Sequence, residues 1–165
     1  MEMVSALRVL GIDPGIHITG YGVVEKQKSS LKHVMHGEIK MAKGSSLSSS
    51  LSMIYDNLLE VINQSSPDAI VVEDVFYGKN IKSLIRQGET RGVVILAGAR
   101  SCIPVYEYTP LEVKKAVVGY GRAEKNQIQN MVKAILHLSD LPPVDAADAL
   151  AIAICHINSL KVVSI

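Results

Sequence analysis

Apolar residues recur along this chain with a period that changes from two to nearly four. Val9, Leu10 and Ile12 read as a short buried strand, which Asp13-Pro14-Gly15 ends with turn chemistry, leaving a carboxylate at the strand's end. Gly20, Tyr21, Gly22, Val23 and Val24 resume an extended pattern, so the two segments are predicted to pair as an antiparallel hairpin. Leu31, Val34, Ile39 and Met41 mark a third strand, at a sheet edge. His33 and His36, three apart, fall on opposite faces of such a strand, so a shared metal ion is not expected and both are read as surface residues.

From Leu47 the spacing turns helical. Leu47, Leu51, Ile54, Leu58 and Ile62 share a face of a helix capped by the preceding serines and ending near Gln64. After a break at Ser65-Ser66-Pro67-Asp68, the run Ala69-Ile70-Val71-Val72 has no polar residue, as expected of a central strand covered on both faces, and Glu73 stands at its end. Residues 80–101 are predicted helical through Ile81, Leu84, Ile85, Ile95 and Leu96, despite Gly88, Gly92 and Gly98, each costing ~1 kcal/mol against alanine. Gly88 and Gly92 share one face and admit close approach of another backbone, either the chain's own sheet or a second subunit. A short strand at 103–106 follows, then a helix over 111–118 capped by Thr109-Pro110, the basic loop Gly119-Tyr120-Gly121-Arg122, and helices over 123–138 and 145–160. The order describes an α/β fold: a mixed five-stranded sheet, an antiparallel meander plus parallel strands, flanked by helices.

With 165 residues, 48% of them hydrophobic, the chain is expected to form one domain over 1–165. Residues 1–8 lack a basic leader, and no run approaches the ~20 apolar residues of a membrane span, so a soluble protein is expected. Cys102 and Cys155 lie far apart, which suits a reducing cytoplasm. The net charge of +1 conceals a division: residues 79–133 hold ten Lys and Arg against four Asp and Glu. Such a block attracts phosphates, although a solvated helical face is its commoner meaning.

Acidic residues sharpen this picture. Asp145 and Asp148, three apart in a first helical turn, share one face; acids there also stabilise a helix start electrostatically, and Asp13 also suits a tight turn. However, Ala146 and Ala147 between the two acids, and the apolar run behind them, imply a closely packed helix that aims both at something specific. If the strands ending in Asp13 and Glu73 are neighbours, the four carboxylates converge. Clustered buried carboxylates repel one another unless a cation is present, and oxygen ligands select Mg²⁺ or Mn²⁺. Two such ions ~4 Å apart can activate water and steady the leaving oxygen of a phosphodiester.

The segments Gly11-Ile12-Asp13-Pro14-Gly15, Thr19-Gly20-Tyr21-Gly22, Glu73 with Val75-Phe76, Lys79-Asn80, Arg91-Gly92-Val93, Val117-Val118-Gly119, Ala123-Glu124-Lys125 and the alanine-rich stretch from Asp145 to Ala153 resemble, in order, the bacterial RuvC family of crossover junction endodeoxyribonucleases. The resemblance implies a ribonuclease-H-like fold, a cytoplasmic homodimer, Mg²⁺ dependence with two ions per site, and paired symmetric nicks in four-way (Holliday) DNA junctions during recombination and repair. It implies that Asp13, Glu73, Asp145 and Asp148 are the catalytic, metal-holding acids, and that a branch-migration complex of RuvA and RuvB is a partner. Asp74 departs from the amide expected in many relatives; on a strand it faces away from Glu73.

Phe76 is the only phenylalanine and by position alone suits a core; the resemblance makes it a wedge that stacks on a junction base. Lys114 and Lys125 match family lysines near the scissile phosphate, whereas Tyr77, Lys79 and Arg122 are candidate DNA contacts that also suit a solvated surface. Two rival readings remain at this level. Asp13-Pro14-Gly15 with Thr19-Gly20 is also similar to the phosphate loop of actin-like and sugar-kinase ATPases, which need two lobes where this chain has length for one. A junction-binding module without catalysis is the other, and the complete set of acids argues against it.

Overall fold

In the computed structural model, which describes residues 6–15, 17–75, 78 and 80–162, three strands form an antiparallel meander: β1 (Leu7–Asp13), β2 (Ile18–Gln27) and β3 (Ser30–Lys40). Helix α1 (Leu47–Ser65) leads to β4 (Ala69–Glu73), which pairs parallel to β1, and α2 (Ile81–Arg100) leads to β5 (Val105–Tyr108), which pairs parallel to β4. The spatial order is β3-β2-β1-β4-β5, the mixed five-stranded sheet that the pattern predicts, with β3 at an edge. Helices α3 (Pro110–Val118), α4 (Lys125–Leu136) and α5 (Val144–Val162) complete the chain. Among the described residues no helix is long and apolar enough to cross a membrane.

Strand alternation divides the core in two. Leu10, Ile12, Ile70 and Val72 pack with α1 and α2, whereas Val9, Val24 and Val71 pack with α3, α4 and α5. Helix α5 lies closest to the sheet, over β1 and β2, and the reason is a track of glycines. A Cβ on Gly11 would overlap the Ala149 carbonyl oxygen, and one on Gly20 would overlap that of Asp145. Opposite the glycines, Ala146, Ala147, Ala149, Ala151 and Ala153 are fully buried, so helix and sheet meet nearly backbone to backbone.

Boundaries shift where caps decide them. The strand expected at 103–106 is Val105–Tyr108, because Pro104 uses its carbonyl to receive Ile70 N as the chain enters the sheet. The helix expected from 123 begins at Lys125, where Glu124 and Gln127 form a capping box, and ends at His137 in the left-handed conformation. Thr109 caps α3 with Glu112, as its sequence suggests.

One expectation is reversed. The pairing of β2 with β3 passes from Val23↔Met35 to Val24↔His33, leaving Val34 as the extra residue of a β-bulge. That residue changes the parity of the strand, so His33 and His36 lie on one face rather than two, and both are half-buried rather than free on the surface.

Candidate active site, a carboxylate cleft

Asp13 and Glu73 end neighbouring parallel strands, next to the register pair Ile12↔Val72. Both continue the sheet face on which Val9 and Val71 meet α5, so alternation turns their side chains toward that helix. Asp145 lies in its first turn, and Asp148 follows three residues on, on the same face. The glycine track sets the depth of α5, and the outcome is a cluster in which carboxylate oxygens of Asp13, Asp145 and Asp148 lie within 4.8 Å of one another. Glu73 stands just outside that triad and lines the same cleft of about 800 Å³. At the helix start, Ala147 N donates to the Pro143 carbonyl at 2.8 Å, so this backbone donor is satisfied without a carboxylate.

Burial and mutual repulsion weaken three of the acids, Asp13, Glu73 and Asp148. Asp13 is held well above the ordinary carboxylate range, first by burial and then by the charges of Glu73, Asp148 and Asp145. Burial, reinforced by Asp148, lifts Glu73 to about 7, and burial lifts Asp148 to about 6. Lys125 and Lys114 oppose both shifts; Lys125 Nζ is 3.8 Å from Asp148 Oδ2, and both lysines line the cleft. Asp13, Glu73 and Asp148, buried and crowded so that their ionised forms are disfavoured, fit a hard divalent cation, which takes oxygen ligands and removes the repulsion.

The predicted residues thus separate. Asp13, Glu73, Asp145, Asp148, Lys114 and Lys125 come together, while Arg122 is exposed in the α3–α4 connection and is not among the residues lining the cleft. Phe76, Tyr77 and Lys79 lie outside the described residues; Gly78, between them, borders the cleft. The sequence reading missed a polar wall built from Asn80, Ser83 and Gln87. Their spacing of three and four, on a helix whose N-cap is Asn80, was the available signal.

It also missed the task of Arg91. That guanidinium reaches from α2 to Glu107 on β5 and to Asp74, whose Oδ1 is 3.6 Å away and also accepts from Val75 N at 2.7 Å. Asp74 is therefore occupied with fixing the chain as it leaves β4 and stands apart from the acid cluster.

Against known proteins, the family model described as crossover junction endodeoxyribonuclease RuvC matches residues 9–156. The crossover junction endodeoxyribonuclease RuvC of Ruminiclostridium cellulolyticum is 51% identical over 152 residues, covering 92% of each chain. That of Halothermothrix orenii is 46% identical over 154 residues, covering 93% of each. Among solved structures, Thermus thermophilus RuvC in complex with a Holliday junction substrate superimposes with a TM-score of 0.88 at 33% identity, covering 94% of this chain and 96% of that one. The yeast mitochondrial Holliday junction resolvase Ydc2, at 17% identity and a TM-score of 0.65, shares the fold. A family match spanning nearly the whole sheet and the carboxylate cleft settles the kinship: this chain belongs to the RuvC family of crossover junction endodeoxyribonucleases.

Proposed function

We propose that this protein is a metal-dependent endonuclease that resolves four-way DNA junctions in the bacterial cytoplasm by paired, symmetric nicks. The observation that carries the reading is the convergence of four carboxylates and two lysines in one cleft on a RuvC-family chain. Asp13, Asp145 and Asp148, with Glu73 beside them, would hold Mg²⁺, or Mn²⁺ in its place, and the four acids suffice for two ions. When bound, the metal supplies charge stabilisation and a more acidic water.

The chain's own groups do the rest. Lys114 and Lys125 hold the scissile phosphate against the acids, and Asn80, Ser83 and Gln87 offer hydrogen bonds to the strand entering from α2. Water adds to phosphorus as the P–O bond to one deoxyribose oxygen breaks, giving a phosphomonoester and a free hydroxyl with no covalent enzyme intermediate; Asp145 assists the transfer of the water's proton, and the leaving oxygen takes up a proton in return. Phe76 wedges between junction bases, with Tyr77, Lys79 and Arg122 as lesser DNA contacts.

Paired cutting needs two clefts related by symmetry, and α2 offers the surface for a two-fold dimer. Ile81, Ile85, Gly88, Gly92 and Leu96 recur at helical spacing; the three large residues are exposed, and nothing lies within 4 Å of a Cβ built on either glycine. The family resemblance also supports delivery of the junction by RuvA and RuvB.

The test is incubation with a synthetic four-way junction and with linear duplex, each with and without Mg²⁺. Metal-dependent symmetric nicking of the junction alone is expected, and Asp13→Asn should lower its rate by about 10³-fold or more while junction binding persists. Wild-type cutting by that variant would refute the acid assignment. Phe76→Ala should keep the wild-type melting temperature and lose most junction cutting, with linear binding unchanged; a collapse of stability would identify Phe76 as core instead.

A further inference from the structure

The β3 bulge has a chemical consequence. His33 Nε2 lies 2.8 Å from His36 Nδ1, with the ring centroids 4.9 Å apart and the planes tilted by 56°. At that distance one neutral ring donates its N–H and the other accepts with its lone pair. Moving the donor's proton to its far nitrogen leaves a lone pair on each near nitrogen, with no net proton released. A tetrahedral ion bonded to each nitrogen at about 2.0–2.1 Å needs them about 3.3 Å apart, so ligation requires an opening of roughly half an ångström and a turn of the rings that directs both lone pairs at the ion.

Both rings are half-buried, and their imidazolium forms are disfavoured, at His33 by burial and the neighbouring ring and at His36 by burial. Their lone pairs are therefore available at neutral pH. The cavity they face is bounded on its other side by His137 and Asp140 of the α4–α5 connection, with Lys32 also on its wall, and it shares no lining residue with the carboxylate cleft. Among the described residues, no third His, Cys, Asp or Glu offers an atom within 4.8 Å of both nitrogens, so the protein supplies two ligands and solvent the others. Imidazole pairs favour Zn²⁺ and Cu²⁺, whereas Mg²⁺ keeps to oxygen, so the two places differ in ion as well as position.

We propose that His33 and His36 form a two-histidine site for a borderline divalent transition-metal ion, distinct from the carboxylate cleft and created by the extra residue Val34. Untagged, metal-free protein would be titrated with Zn²⁺ by calorimetry and with Cu²⁺ by electron paramagnetic resonance, both in saturating Mg²⁺. One ion per chain is expected, with splitting from two imidazole nitrogens. His33→Gln and His36→Gln should each weaken binding by at least about tenfold, and Asp148→Asn should leave it unchanged. Unaltered affinity in both histidine variants, loss of binding in Asp148→Asn, or no uptake by the wild type would overturn the proposal. Imidazole ¹⁵N shifts of the wild-type protein on Zn²⁺ addition test ligation without any variant: movement of the His33 and His36 signals supports the site, and their constancy overturns it.

Discussion

Helices α2 and α5 are nearly equal in length, 20 and 19 residues, and both carry small residues at helical spacing, yet they use them in opposite ways. In α5 the alanines are sealed against Gly11 and Gly20 of the sheet, and that close seat presses Asp145 and Asp148 toward Asp13. In α2 the inner face is Thr90, Val94, Ala97 and Gly98, while Gly88 and Gly92 face outward among exposed Ile81, Ile85 and Leu96. One helix therefore uses its small residues to build a site within the chain. The other leaves them open on its outer face, the surface proposed above for a second copy of the chain. The difference teaches that a small-residue stripe reports close approach without naming the partner.

The contrast breaks most severely at Gly20. Gly20→Val places a branched side chain on the Asp145 carbonyl, where neither backbone has room to retreat, and should cost more than about 4 kcal/mol or prevent folding. Chemical denaturation measures this, and a midpoint near the wild type's would show that α5 is not held by the glycine track.

Gly92→Leu should do the reverse. With open space at that Cβ, the folded chain keeps its stability or gains up to about 1 kcal/mol of helix propensity, while dimerisation weakens by about 100-fold or more. Sedimentation should find a folded monomer that makes unpaired nicks; an unfolded protein would place Gly92 in the chain's own core.

The smallest effect concerns the charge that α5 presses inward. Glu73 and Asp148, held at about 7 and about 6 against ordinary values of 4.5 and 3.8, bind protons in the folded chain that the unfolded chain has released. Between about pH 4 and about pH 7 the folded state binds more protons, so the stability of metal-free protein should fall as pH rises through that window. Asp148→Asn should flatten the slope and stabilise the metal-free protein at pH ~8 by about 1–2 kcal/mol. Mg²⁺ should raise the wild-type melting temperature most at the alkaline end. Thermal melts across pH with and without Mg²⁺ check all three, and stability rising with pH in the metal-free wild type would contradict the crowding of the acids.

Much of this molecule is local, and the sequence determined that much alone. Alternation in Val9, Leu10 and Ile12, the unbroken run of β4, the Thr109 cap and the spacing of Asp145 and Asp148 each depend on a few consecutive residues, so the strands, most helix positions and the four acids were legible before any contact was known. Tertiary structure decided what depends on residues distant in sequence. It set the depth of α5, through Gly11 meeting Ala149 and Gly20 meeting Asp145 across more than a hundred residues. It enlisted Arg91 to join Asp74 to Glu107, and it left the α2 glycines facing outward. It also reversed the parity of β3, because a bulge is a mismatch between two strands and no single strand records it; His33 and His36, set apart by their spacing, met because β2 and β3 paired out of step.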